Sequence, residues 1–126
     1  MPGEDVEWTL YRLGTGVNWS REDFHQAAER IYNLERALQV RHWGRDRKVD
    51  ETVLPYFDQP DLIPNPLLDR TYSLDREKFV GVLDEFYTLH GWDPNTGRPT
   101  KEGLAGLGLP DVYEPMLAGA EFTLKR

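Results

Sequence analysis

The sequence predicts an all-α fold: a small irregular helical domain with two long helices, shorter flanking helices and a long proline-rich loop. Two observations predict it. Apolar residues recur three and four positions apart over about residues 21–40 and 74–90, which is the period of an amphipathic helix. Alternation typical of strands is nearly absent, and only Tyr72 and residues 121–124 are weak candidates. With 126 residues, we expect one domain, residues 1–126.

The first part of the chain is predicted to hold a short helix followed by a long one. The short helix covers residues 5–13 and ends at Gly14. Ser20 is a typical N-cap for the long helix, residues 21–40, and Asp23 stands where its carboxylate can complete a capping box. The predicted buried seam of this helix consists of Phe24, Ala27, Ile31, Leu34 and Leu38.

Residues 41–73 show no sustained period and contain four prolines. The residue before each proline is pushed out of the helical region, so we expect an irregular loop. Such a long loop is uncommon in a compact domain unless it lies against a partner. Ser73 is the predicted N-cap of the second long helix, residues 74–90. Its predicted buried face consists of Phe79, Val82, Leu83, Phe86 and Leu89.

Glycine and proline divide the C-terminal part into short pieces. Residues 93–97 are a predicted turn after Gly91. Thr100 is expected to cap a short helix that Gly108 closes, and Pro110 opens a last helical turn or two. The apolar seams of the two long helices predict one shared core, formed by Phe24, Ile31, Leu34, Leu38, Phe79, Leu83 and Phe86.

Composition excludes several classes of function. The chain has no cysteine, which removes disulfides, thiolate zinc sites and iron–sulfur ligation. A net charge of −7 argues against nucleic-acid binding. No run of apolar residues is long enough to span a membrane, and the N-terminus does not resemble a secretory signal. We therefore expect a cytoplasmic protein.

The polar residues do not form a recognisable catalytic or metal motif. The three histidines lack metal-ligating spacing, and His25 is expected to pair with Glu29 on a helix face. Residues 93–97 resemble the opening of a calcium loop, but Leu104 stands where the closing acid would be. We predict no catalytic residue, no cofactor-binding residue and no metal ligand in this chain.

Residues 41–48 are basic within an acidic chain, and two interpretations remain open. They form either a docking patch, in which arginines bind anions, or a solvated loop whose cations offset nearby acids and helix carbonyls. Asn33, Glu35 and Arg36 are similarly either a buried polar network or ordinary helix surface. The predicted docking residues are Arg36, Arg41, Trp43, Arg45, Lys48, Tyr56 and Phe57.

An ordered set of segments resembles a known family. A charged helix (residues 29–41) is followed by the acidic turn Asp-Glu-Thr-Val-Leu-Pro (residues 50–55). Residues 16–20 precede that helix with a Gly-Val-Asn-Trp-Ser turn. Residues 86–93 read Phe-Tyr-Thr-Leu-His-Gly-Trp-Asp, and residues 100–109 end in Leu-Gly-Leu. In this order and spacing they resemble the C-terminal region of the aldehyde ferredoxin oxidoreductase family.

The resemblance implies a role within a larger enzyme. The whole enzyme would oxidise aldehydes to carboxylic acids with ferredoxin as acceptor, using a tungsto- or molybdo-bispterin and a 4Fe-4S cluster. This chain would help to wall the pterin and the substrate channel, would carry no cofactor itself and would be inactive alone. Its partner would be the remainder of the parent oxidoreductase. The alternative is a stand-alone non-catalytic protein-interaction domain, and exposed aromatic residues also predict weak self-association.

Overall fold

The computed structural model of the chain describes residues 3–58 and 75–118 and shows a small, mostly helical domain. The α-helices are α1 (Gly3–Thr15), α2 (Arg21–Trp43), α3 (Arg47–Asp50), α4 (Arg76–Leu89), α5 (Lys101–Gly106) and α6 (Tyr113–Met116). Two 3-10 helices cover Glu51–Asp58 and Pro110–Val112. A two-stranded antiparallel sheet pairs β1 (Trp92–Asp93) with β2 (Arg98–Pro99). The predicted all-α class is confirmed; that residues 1–126 form one domain stays a prediction.

The long helix α2 begins where the sequence predicts. The Ser20 hydroxyl accepts the Asp23 N–H at 3.1 Å, and the Asp23 carboxylate accepts the Ser20 N–H at 3.0 Å, which completes the predicted capping box. The helix runs three residues past the predicted end and stops at Gly44, whose φ of 63° is in the left-handed region. Arg41 lies in the last turn, where its positive charge suits the helix C-terminus.

The second long helix begins later than predicted. The proposed N-cap, Ser73, lies outside the described residues, as do the two strand candidates. Asp75 is the cap instead, because its carboxylate accepts the Lys78 N–H at 3.1 Å, and α4 starts at Arg76. The short helix α5 follows the prediction, since the Thr100 hydroxyl accepts the Gly103 N–H at 3.0 Å.

The start of the predicted loop is helical, which corrects the sequence analysis. Asp46 caps α3 by accepting the Lys48 N–H at 3.0 Å, and a 3-10 helix continues the chain from Glu51. Pro55 lies inside that 3-10 helix, whose φ values match the fixed φ of proline. The remainder of the predicted loop, residues 59–73, is outside the described part.

The apolar core lies between α2 and the C-terminal helices, not between the two long helices as predicted. Ala37, Val40 and Leu104 are fully buried, and Leu117 joins them. Partly buried residues of the C-terminal turns pack against this cluster. The core therefore uses small and medium side chains of α2 rather than its most apolar seam.

The predicted seams of both long helices are only partly covered: none of their ten residues is fully buried, and four are exposed. On α2, Ile31 is 60% exposed and Leu38 40%. On α4, Val82 and Leu89 are exposed, whereas Tyr87 is buried. The opposite faces of these helices are buried instead, because distant segments supply partners for their polar side chains. Within the described ranges, no helix combines the length and apolar character needed to cross a membrane.

Candidate functional site: a buried charge cluster

The Asp50 carboxylate at the end of α3 accepts hydrogen bonds from three side chains. Arg36 of α2 forms a two-pronged ion pair with it. Arg45 donates to the same carboxylate at 2.7 Å and 3.0 Å, and the Tyr87 hydroxyl of α4 donates at 2.6 Å. One carboxylate therefore joins α2, α3 and α4. We call Arg36, Arg45, Asp50 and Tyr87 the Asp50 cluster.

The guanidinium of Arg36 is enclosed on all sides by parts of the chain. Its side chain is 4% exposed, its Nε donates to the Gly97 carbonyl at 2.8 Å, and its Cζ lies 4.7 Å from the Trp92 ring centroid. Gly97 has a φ of 65°, and a Cβ there would come within 2.8 Å of Arg36 Nη2 and of the Tyr87 ring. The turn between the two strands thus approaches so closely that it requires glycine.

The electrostatics of the Asp50 cluster favour the ionised carboxylate. Burial alone would raise the pKa of Asp50, but hydrogen bonds from Arg36, Tyr87 and Arg45 and the charge of Arg36 outweigh it and lower the pKa to about 2. The pKa of Tyr87 is raised, first by burial and then by its hydrogen bond to the Asp50 carboxylate. Asp50 is therefore a fixed anion and Tyr87 a fixed hydrogen-bond donor at neutral pH.

Arg47, a third arginine, links α3 to α4 and to the turn between the strands. Arg47 pairs with Asp84 of α4 and with Glu51 at 2.5 Å, and it donates to the Pro94 carbonyl at 2.6 Å. Hydrogen bonds to Asp84 and Glu51 raise its pKa. Its backbone N–H also donates to the Thr96 carbonyl at 2.8 Å. These contacts hold α3 against α4 and the turn between the strands.

A polar chain links α2 to the end of α4. Trp92, 4% exposed, donates its indole N–H to Asn33 at 2.7 Å, and Asn33 donates to the Glu29 carbonyl at 3.1 Å. The Glu29 carboxylate lies 2.8 Å from Nδ1 of His90. The predicted pairing of Glu29 with His25 is wrong, since His90 is packed close by among aromatic rings.

The predicted docking residues separate into two groups. Arg36 and Arg45 lie within the Asp50 cluster, and Phe57 is buried against Phe79, with ring centroids 4.9 Å apart. The exposed members are Arg41, Trp43, Lys48 and Tyr56. Docking by this set stays a prediction, and we restrict it to the four exposed side chains.

Sequence reasoning named the two arginine donors of the Asp50 cluster but missed the Asp50 acceptor and the Tyr87 donor. Asn33 and Arg36 belong to a buried network, one of the two interpretations left open, whereas Glu35 is exposed. Asp50 and Tyr87 were not singled out as partners. A buried arginine requires a carboxylate, which was the available indication, but the sequence does not say which acid supplies it.

The arrangement is suited to holding segments together rather than to chemistry. Each donor of Arg36 named above is directed at an acceptor of the same chain, and the Asp50 oxygens are surrounded by cations and a hydroxyl. Across residues 3–58 and 75–118, no three histidine, aspartate or glutamate side chains converge in a way that could hold a metal ion. The geometry is that of a structural joint.

Comparison with known proteins shows similarity to one enzyme family. The family model described as aldehyde ferredoxin oxidoreductase, domains 2 and 3, matches residues 2–109. The tungsten-containing aldehyde ferredoxin oxidoreductase of Pyrococcus furiosus is 29% identical over 111 residues, which cover 88% of this chain. The matched part is 17% of that enzyme, so the chain corresponds to a small portion of its relative. No solved structure matches the chain significantly.

Proposed function

The chain belongs to the family of aldehyde ferredoxin oxidoreductase domains 2 and 3, and from that premise we propose that it is a non-catalytic helical domain of a larger oxidoreductase. In that whole enzyme a tungsto- or molybdo-bispterin and a 4Fe-4S cluster would oxidise an aldehyde to a carboxylic acid, with ferredoxin as acceptor. The domain would help to wall the pterin and the substrate channel. Its partner would be the remainder of the same oxidoreductase.

The observation that carries this proposal is the self-contained Asp50 cluster. Reactive groups in an active site need open coordination or hydrogen-bonding positions that a substrate can use. Here the buried Arg36 is paired with Asp50, and the cluster joins three helices and the turn between the strands. Such a joint makes a stiff wall, because moving any one segment would leave a buried charge without a partner.

The residues of this chain do not fit the family's cofactors as ligands. An iron–sulfur cluster is held by cysteine thiolates, and the sequence contains no cysteine. The buried donors nearest to one another, Arg36, Tyr87 and Trp92, are directed at Gly97, Asp50 and Asn33 within the chain. We therefore assign any ligation of the cofactors to other parts of the oxidoreductase.

The four exposed docking residues are the proposed contact with the remainder of the enzyme. Trp43 is 65% exposed and Tyr56 68%, and Arg41 and Lys48 are also exposed. The rim of an interface is polar, and large aromatic residues and arginine are enriched at interfaces. These four side chains therefore offer aromatic anchors and two cations for a surface with exposed acids.

The test is a chimaera of the Pyrococcus furiosus enzyme in which this chain replaces the matching segment. We expect the purified chimaera to retain tungsten and aldehyde oxidation, and the chain alone to have neither. Lys48→Glu should reduce the yield of tungsten-containing chimaera, whereas Lys78→Glu, an exposed lysine of α4, should not. Metal analysis and an aldehyde-dependent dye-reduction assay measure both outcomes.

Three results would contradict the proposal or its docking surface. A chimaera that is produced without tungsten would show that the chain cannot complete the enzyme, and a stand-alone interaction domain would then be the better interpretation. Aldehyde oxidation by the purified chain alone would show that it is catalytic. Equal loss from Lys48→Glu and Lys78→Glu would contradict the docking surface.

A further inference from the structure

The apolar face of α2 that the sequence marks as a core seam is only partly covered. We call Ala27, Ile31, Leu34 and Leu38 the α2 stripe. Ile31 is 60% exposed and Leu38 40%, and the other two side chains are half-buried. These residues recur at spacings of four, three and four, which is the pattern by which a helix packs into an apolar partner. A helix that buries an arginine and exposes such a stripe has a second contact face.

A groove of about 470 Å³ runs beside the α2 stripe. Trp19 forms one wall, and it is held in place because its carbonyl accepts the Trp8 indole N–H at 3.0 Å and its ring stacks on Tyr11 with centroids 5.4 Å apart. Arg30 lies on the rim and is exposed. The groove is therefore formed by fixed elements. Its floor is apolar, and its polar lining holds Gln26, Arg30 and Asp23, whose carboxylate already accepts hydrogen bonds from Ser20.

We propose that the α2 stripe and its groove bind an apolar helix from the remainder of the same oxidoreductase, with an acidic side chain of that helix facing Arg30. This inference rests on the proposed function. The relative's polypeptide continues well beyond the matched portion, which is 17% of its length, so most of that protein is available as a partner. The stripe supplies anchors at the spacing that helix-in-groove contacts use.

The experiment uses the chimaera and two matched variants. Ile31→Glu places a charge on the stripe, and Val82→Glu places one on α4 at nearly the same exposure, 60% against 63%. Ile31→Glu should lower the yield of tungsten-containing chimaera on the order of tenfold, because a charge at the core of an interface is desolvated. Val82→Glu should leave the yield within about twofold, as exposed substitutions usually do.

A second measurement separates docking from folding. The isolated chain carrying Ile31→Glu should unfold at the same denaturant concentration as the unmodified chain, because the side chain is exposed there. Hydroxyl-radical footprinting should show Ile31 and Leu38 reacting on the order of tenfold more slowly in the chimaera than in the isolated chain, since the core of an interface excludes water.

The outcomes distinguish the inference from the proposed function. If the unmodified chimaera contains tungsten but Ile31 reacts as fast as in the isolated chain, the inference is overturned and the proposed function stands. If the isolated chain forms a dimer that Ile31→Glu abolishes while the chimaera tolerates the change, the occupant is a second copy and the inference is again overturned. An unmodified chimaera without tungsten overturns both.

Discussion

The two faces of α2 depart from the usual distribution of residue types, although the buried face also holds Ala37 and Val40. One face buries Asn33 and Arg36, which are 0% and 4% exposed. The other exposes Ile31 and Leu38. Arg36 is buried because Asp50 and the Gly97 carbonyl satisfy its donors, so its desolvation is compensated. Ile31 is exposed because no segment in the described part of the chain covers it.

The comparison teaches that burial in this domain follows the supply of partners rather than hydrophobicity alone. A polar side chain can occupy the interior when other segments bring the complementary groups. An apolar side chain needs only a surface to cover it, and in a domain that corresponds to 17% of its relative that surface can belong to another part of the protein. The predictions below test each face separately.

The largest expected effect is on the buried polar face. Asp50→Ala would leave Arg36 buried without its carboxylate, and we expect a loss of about 3–5 kcal/mol in the free energy of unfolding. Glu85→Ala, an exposed acid of α4, should cost under about 0.5 kcal/mol. Chemical denaturation of the two variants measures this. Equal midpoints would mean that the Asp50 cluster contributes little to the fold.

The apolar core next to that face should be nearly as sensitive. Leu104 is fully buried, so Leu104→Ala should cost about 2–5 kcal/mol through lost burial and the cavity left behind. The control is Leu89→Ala on α4, where the side chain is 77% exposed and the cost should stay under about 0.5 kcal/mol. If Leu104→Ala changed the free energy of unfolding only slightly, the core would not lie at the contact between α2 and α5.

Acid should weaken the polar face selectively. Because the pKa of Asp50 is depressed in the folded chain, its stabilisation is present above the ordinary value of 3.8 and is lost as the pH falls toward about 2. The expected loss is about 2 kcal/mol, since one pKa unit corresponds to about 1.4 kcal/mol. Tyr87→Phe removes one donor to the carboxylate, so the pKa of Asp50 should be less depressed in this folded variant, and the acid-dependent loss of stability should be smaller. Denaturation of both proteins from pH 7 to pH 2 measures this. If the Asp50 cluster were not coupled to folding, stability would depend on pH identically in the unmodified chain and in Tyr87→Phe.

The exposed face should give the smallest effect on the isolated chain. Ile31→Ala removes a side chain that is 60% exposed, so we expect a change under about 0.5 kcal/mol. Leu104→Ala, at a buried position, should lower the free energy of unfolding much more. If both substitutions cost the same in chemical denaturation, the α2 stripe is packed within the isolated chain.

Local features of the fold could be predicted from the sequence because they depend on residues three or four apart. The capping box of Ser20 and Asp23 and the cap at Thr100 need only neighbouring backbone N–H groups. The same locality explains why helix existence was predictable for α2 and α4. The 3-10 helix from Glu51 could not be predicted because Pro55 is compatible with a loop as well as with a 3-10 helix.

The buried face of α2 could not be predicted, because two stripes fit the same helical period. Hydrophobicity favours the stripe containing Ile31 and Leu38, whereas the structure buries the one containing Arg36 and Val40. The choice is made by contacts with residues far along the chain. Arg36 meets Asp50 14 positions later and Gly97 61 positions later, and no local pattern encodes such pairings.

The close approach at Gly97 has a consequence for how this sequence can vary. Any other residue there would place a Cβ 2.8 Å from the Arg36 guanidinium and the Tyr87 ring, in a backbone conformation that side chains rarely adopt. In a library of random variants, surface positions such as Leu13 should accept many amino acids, whereas position 97 should return glycine almost alone. Position 97 is therefore one of the positions in this chain that should tolerate the fewest substitutions.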